Sequence, residues 1–161
     1  MPARTGETSE RDASPSTRLM RSWLQRHPAL AALLAGMAVA TALPPLYILP
    51  GLLGFGVLIA GLWRDAPGPW IAFLRGTLFG FGFFLVGLYW VGIAFFADAE
   101  RFGVFAVPAV LLLALGLGLT MGVAAALAAC RRWHRIEALA LAFALLWTVA
   151  EPLRGGLGLQ F

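Results

Sequence analysis

The sequence predicts an all-α integral membrane protein, a polytopic bundle of about five transmembrane helices with its N-terminus in the cytoplasm. Three observations predict it. Apolar residues make up 60% of the 161-residue chain and charged residues 12%, against about 45–50% and 25% in soluble domains. Mean hydropathy is +0.83. A water-soluble globule has no means of hiding that much apolar surface. The apolar residues also fall into five runs, separated by short stretches that carry the arginines. This composition excludes a disordered chain, a collagen, a disulfide scaffold and a cytosolic enzyme. All twelve basic residues are arginine, and lysine is absent. A net charge of +4 would suit nucleic acid, but arginine clusters placed between apolar runs read as topology. No nucleic-acid partner is expected.

Residues 1–27 form a polar, arginine-bearing tail with too little apolar content to build a core, and disorder is expected there. Residues 28–161 are expected to form the membrane domain. The first apolar segment, Ala29–Leu43, is stopped by Pro44 and Pro45; the second is Leu46–Trp63. The third, Gly76–Ala97, is uncharged up to its end, and the fourth is Phe102–Cys130, with Pro108 in its early part. The fifth, Ala138–Val149, continues through Glu151. A spanning helix needs about 17–25 residues, a length met by segments two, three and four. Backbone polar groups in lipid must pair within their own segment, so the segments are read as helices.

Orientation follows from the arginines. Alternating the loops puts ten on the side of the N-terminal tail and two on the other. The richer side is the cytoplasmic one. Trp23, Trp63, Trp70 and Trp133 fall at the same boundary, as an aromatic belt requires. One rival reading makes the first segment a signal peptide cleaved after Ala40-Thr41-Ala42. The prolines that follow and the immediate second apolar run favour an uncleaved hairpin. Gly76, Gly80 and Gly87 share a helical face, as do Gly118 and Gly122, a spacing that lets helices approach closely. Bundle packing is the expected use of these glycines, and packing or lipid contact that of the six phenylalanines in segment three.

Most site templates fail. There is no Gly-rich phosphate loop and no His-Glu-x-x-His. The single cysteine, Cys130, excludes an internal disulfide and reads as a small apolar residue at a helix end. His134 lies among Arg131, Arg132 and Arg135, where a solvated or headgroup role is expected. Arg75 is read as snorkelling to the cytoplasmic surface, and Asp98, Glu100 and Arg101 as a solvated outer turn. Charges close to apolar segments are functional candidates by default. Glu151 and Arg154 are the more suggestive, because three residues apart on a helix they face the same way and pair. They either neutralise each other at the outer interface or order a polar mouth that opens outward.

Four blocks now resemble a known family. They are Ala42-Leu43-Pro44-Pro45-Leu46, Gly80-Phe81-Gly82-Phe83-Phe84-Leu85-Val86-Gly87-Leu88-Tyr89-Trp90, the stretch from Val91 to Phe102, and Leu146-Trp147-Thr148-Val149-Ala150-Glu151-Pro152-Leu153-Arg154-Gly155. In order and spacing they are similar to the N-terminal part of bacterial apolipoprotein N-acyltransferases, the alphaproteobacterial branch in particular, over residues 28–155. The resemblance implies an inner-membrane, multi-pass protein of lipoprotein biosynthesis. Such enzymes move an acyl chain from a phospholipid to the N-terminal diacylglyceryl-cysteine of a lipoprotein. They use a Glu base, a Cys nucleophile and a Lys on a periplasmic nitrilase-like domain, without a cofactor.

This chain departs from that pattern. It has no lysine, Cys130 falls on the cytoplasmic side, and Pro152 replaces the family's Trp. The nitrilase-like domain is expected to be absent from residues 1–161, leaving a truncated form without activity of its own. No catalytic residue is carried over. Glu151, Arg154 and Gly155 carry over only as a motif, candidates for a structural or substrate-path role. No metal or cofactor site is expected. The implied partners are membrane phospholipids, apolipoproteins and a separately encoded nitrilase-like domain. Two other classes remain open at this point: a small helical transporter or channel subunit, and an inert membrane remnant. Segments three and four hold almost no polar residue beyond Thr77 and Thr120, which disfavours the transporter.

Overall fold

A computed structural model describes residues 16, 22–23, 26–44, 46–95 and 99–156 of the chain. Every regular element among them is helical. In chain order these are α1 (Pro28–Ala40), a 3₁₀ turn (Leu49–Leu52), α2 (Leu53–Asp65), α3 (Pro69–Gly87), α4 (Tyr89–Phe95), α5 (Ala99–Ala129) and α6 (Ile136–Gly156). The tail expectation for residues 1–27 falls largely outside the described residues.

Local chemistry sets the helix ends. Pro28 and Pro69 stand in the first turns of α1 and α3, where an N–H would have no intrahelical partner. Thr41 closes α1, and its hydroxyl donates to the Ala38 carbonyl at 2.7 Å. Ala66 ends α2 in the left-handed region at φ 39°.

Several boundaries differ from the sequence reading. The second segment yields a helix of 13 residues, because the chain after Pro44 turns through Tyr47 (φ 52°) and a 3₁₀ turn first. The third segment starts at Pro69 and takes in Arg75, whose charge is met by Asp65. It then breaks at Leu88, where Gly87 ends α3 and α4 begins. Residues Ala99–Arg101, expected in a turn, are the first turn of α5; Asp98 lies outside the described residues. Among the described residues, two helices are long and apolar enough to cross a membrane, Pro69–Gly87 and Gly103–Ala129. That fits a membrane domain.

The helices run up and down. Pro28 of α1 shares a cavity with Arg64, Asp65 and Arg75. Trp63 and Pro69 share another with Ala129 and Leu139. The start of α1, the α2–α3 turn and the α5–α6 loop therefore lie at one end of the bundle, an arginine-rich end.

Helix α3 is the centre, held in two glycine seams. On one side Gly76 and Gly80 meet α5: a Cβ at Gly76 would stand 2.6 Å from the Ala125 Cβ, and one at Gly80 2.8 Å from the Gly118 Cα. Gly118 and Gly122 return the contact onto the Thr77 and Phe73 carbonyls, each 2.9 Å from the added carbon. On the other side a Cβ at Gly36 of α1 would collide with the Phe79 carbonyl, and one at Gly82 with that of Leu33. Gly87 takes no part in either seam, its nearest atom being Leu43 Cδ1 at 3.8 Å. Ala114, Met121, Ala124, Ala125 and Ala128 fill the buried side of α5. Its exposed side carries Leu112, Leu115, Leu119, Val123 and Leu127, each at least 41% exposed. Small residues inside and large apolar ones outside invert the pattern of a soluble helix.

Candidate functional site

Helix α6 carries the three motif residues. It starts at the arginine-rich end and holds Glu151, Arg154 and Gly155 in its last turns. The span from Ile136 to Glu151 is about 22 Å at 1.5 Å per residue, so the motif lies toward the opposite end.

Glu151 is half-buried, and the Trp147 indole N–H donates to its Oε1 at 3.0 Å. That indole belongs to an aromatic cluster drawn from three helices. Phe55 of α2 lies 5.8 Å away between ring centroids, Phe83 of α3 6.4 Å and Phe143 of α6 6.5 Å. Phe55 also meets the fully buried Phe79 at 5.2 Å. Phe79 and Phe83 of α3 thus take the packing use, one of the two that the sequence suggests for the phenylalanines of the third segment. The side chains of Arg154 and Leu153 lie outside the described residues, as does the expected Glu151–Arg154 pair. The partner that the structure gives Glu151 was missed, although its signal was present: Trp147 stands four residues before Glu151, on the same helical face.

Other candidates resolve individually. Arg75 is 14% exposed and donates to Asp65 Oδ2 at 2.7 Å; Arg64 donates to Asp65 Oδ1 at 3.0 Å. Partial burial works to raise the Asp65 carboxyl, but hydrogen bonds and charge from Arg75 and Arg64 outweigh it and hold the group below its ordinary value. Arg75 is therefore held in an ion pair with Asp65 at the arginine-rich end of the bundle. His27 packs on Trp23, ring centroids 5.7 Å apart. Cys130 is exposed and, with His134, lines the cavity at the arginine-rich end. Among the described residues no three His, Cys, Asp or Glu side chains gather as metal ligands would. A carboxylate held by an indole over an aromatic floor can orient a polar group at the end of an apolar bundle. With no lysine in the chain, residues 1–161 offer no Glu-Lys-Cys set.

The fold and this motif define a class: an all-helical domain whose long helices have the length and composition of membrane spans. The family model described as the apolipoprotein N-acyltransferase N-terminal domain matches residues 35–161. The chain belongs to that family. It is similar to an apolipoprotein N-acyltransferase of Caulobacter vibrioides, 44% identical over 135 residues, covering 80% of this chain and 25% of that protein. It is also similar to that of Rhizobium rhizogenes, 42% identical over 132 residues, covering 73% and 24%. A relative in Azotobacter vinelandii is 38% identical over 133 residues, covering 78% and 25%. The chain thus spans about a quarter of the length of the curated relatives it matches.

Proposed function

We propose that residues 28–161 are the inner-membrane domain of an apolipoprotein N-acyltransferase. Its N-terminus is cytoplasmic, and the arginine-rich end of the bundle faces the cytoplasm. It crosses the membrane five times, through α1, α2, α3 with α4, α5 and α6. It anchors a periplasmic nitrilase-like domain and gives phospholipid and apolipoprotein a lateral path to it. Glu151, Arg154 and Gly155 stand where that path would open outward. Acyl transfer requires the nitrilase-like domain, with its own Glu, Lys and Cys, and no cofactor.

The observation that carries this reading is the inversion along α5. Glycine and alanine face α3, while leucine and valine face outward in a continuous stripe. Water would penalise such a stripe and lipid accepts it. The gathering of arginine-bearing loops at one end supports the same reading.

The test is complementation. Cells depleted of their own enzyme receive this chain, a nitrilase-like domain from a relative, or both, and lipoprotein N-acylation is read by mass spectrometry of a lipoprotein N-terminus. Acylation only in cells with both is expected. Acylation by this chain alone, or none with both produced in the membrane, overturns the proposal.

A further inference from the structure

The cavity at the arginine-rich end is separate from the Glu151 motif, and it is amphipathic. It holds about 570 Å³ between the α2–α3 turn and the α5–α6 loop. Leu62, Leu139 and the rings of Trp63 and Trp133 form its apolar part, and Arg131, Arg132 and His134 its polar part. Among the described residues no carboxylate lines it.

The loop that carries these charges is prebuilt. The Trp133 indole N–H donates to the Ala128 carbonyl at 2.8 Å, which ties the ring back to the last turn of α5. The Arg131 guanidinium sits 5.2 Å from the centre of that ring, in cation–π range. A guanidinium held on a ring face keeps its N–H groups for an anion. No backbone–backbone hydrogen bond among the described residues uses the amides of Arg131, Arg132 or Trp133. Two arginines and a histidine therefore line the cavity beside an apolar floor.

We infer that this cavity holds the headgroup of an anionic phospholipid, its phosphate on Arg131 and Arg132 and its first acyl carbons on Leu62, Leu139 and the tryptophan rings. The inference rests on the membrane reading above. A free phosphate would use the arginines but not the apolar floor. About 22 Å of α6 separates the cavity from Glu151, so the lipid held here fastens two loops and is not the acyl donor placed at the outer path. The favourable charge term is about fivefold in affinity for each arginine near an anionic surface, or about thirtyfold for two.

The experiment uses the full chain in nanodiscs of phosphatidylcholine, alone or mixed with phosphatidylglycerol. Retained lipid is read by native mass spectrometry after extraction. In the wild-type chain the ratio of phosphatidylglycerol to phosphatidylcholine among retained lipids is expected to exceed that of the bilayer by about thirtyfold. The pair Arg131→Ala with Arg132→Ala brings that to near the bulk ratio, and Arg131→Lys with Arg132→Lys keeps most of it. Millimolar inorganic phosphate leaves the wild-type enrichment unchanged. A bulk ratio in the wild type, full enrichment in the double-alanine variant, or displacement by inorganic phosphate overturns the inference. Failure of the wild-type chain to enter phosphatidylcholine nanodiscs defeats the membrane reading, and the site with it. Insertion without enrichment defeats the site alone.

Discussion

Glu151 has its indole donor because Trp147 stands one helical turn earlier, with its ring wedged between helices. Replacing Trp147 by Phe keeps most of the ring and removes the donor. A loss of about 0.5–1.5 kcal/mol is expected, the net worth of one hydrogen bond. Unfolding in detergent, followed by circular dichroism, measures it, and an unchanged midpoint would mean the bond contributes nothing. Asp65 gives a pH dependence. Its folded-state pKa is depressed, so its contribution is complete above the ordinary value of 3.8 and is lost as pH falls through the lower folded value. Asp65→Asn is expected to cost about 0.3–1 kcal/mol at neutral pH, the scale of a partly exposed pair. The variant is also expected to remove the corresponding slope at acid pH. Ala66 sits at φ 39°, which disfavours any side chain. Ala66→Gly is expected to stabilise by up to about 1 kcal/mol through relief of that strain.

The helices were more legible than their seams. Apolar runs and proline stops announced α1, α5 and α6 closely. The start of α3 was not announced, because Arg75 looked like the end of a loop and only the fold brings Asp65 to it. The Gly76–Gly80 face was read correctly from spacing, but Gly87 was not separable from it. Gly36 and Gly82 were missed altogether: the seam between α1 and α3 takes a single glycine from each helix, which makes no periodic pattern, and their meaning comes from facing a neighbour's backbone. The seams predict a ranking of variants. Gly36→Ala and Gly118→Ala place a methyl against backbone, with no flexible side chain to give way, and about 1–3 kcal/mol is expected for such overpacking. At Gly116 a Cβ meets nothing within 4 Å, and Gly116→Ala is expected to be neutral or stabilising. Equal effects at Gly116 and Gly118, measured by unfolding in one detergent, would mean that the seam does not govern stability.

At the scale of the molecule, the arginine distribution foretold which loops share an end, and the two cavities bring those loops together. Which end faces the cytoplasm is open to one reagent. Cys130 is the only cysteine in the chain and is exposed. A membrane-impermeant maleimide is expected to label it only after the inner membrane is permeabilised, and labelling of intact spheroplasts would reverse the orientation. The candidate site was half legible. Glu151 was singled out because charge in an apolar run is costly. Its aromatic floor was not, since Phe55, Phe83 and Phe143 lie far apart in sequence and meet only through packing.

Because α3 fills grooves on both of its neighbours, assembly has an order imposed by synthesis. Gly36 and Gly82 are 46 positions apart, the difference of their numbers. At about 5–20 residues per second, the groove on α1 waits roughly 2–9 s for its tenant. During that interval the first hairpin is unfinished, its α1 groove without the α3 backbone that fills it. A helper that shelters nascent membrane helices would find its substrate in that interval. Slowing translation between α1 and α3 is thus expected to lower the yield of folded protein without altering a single residue.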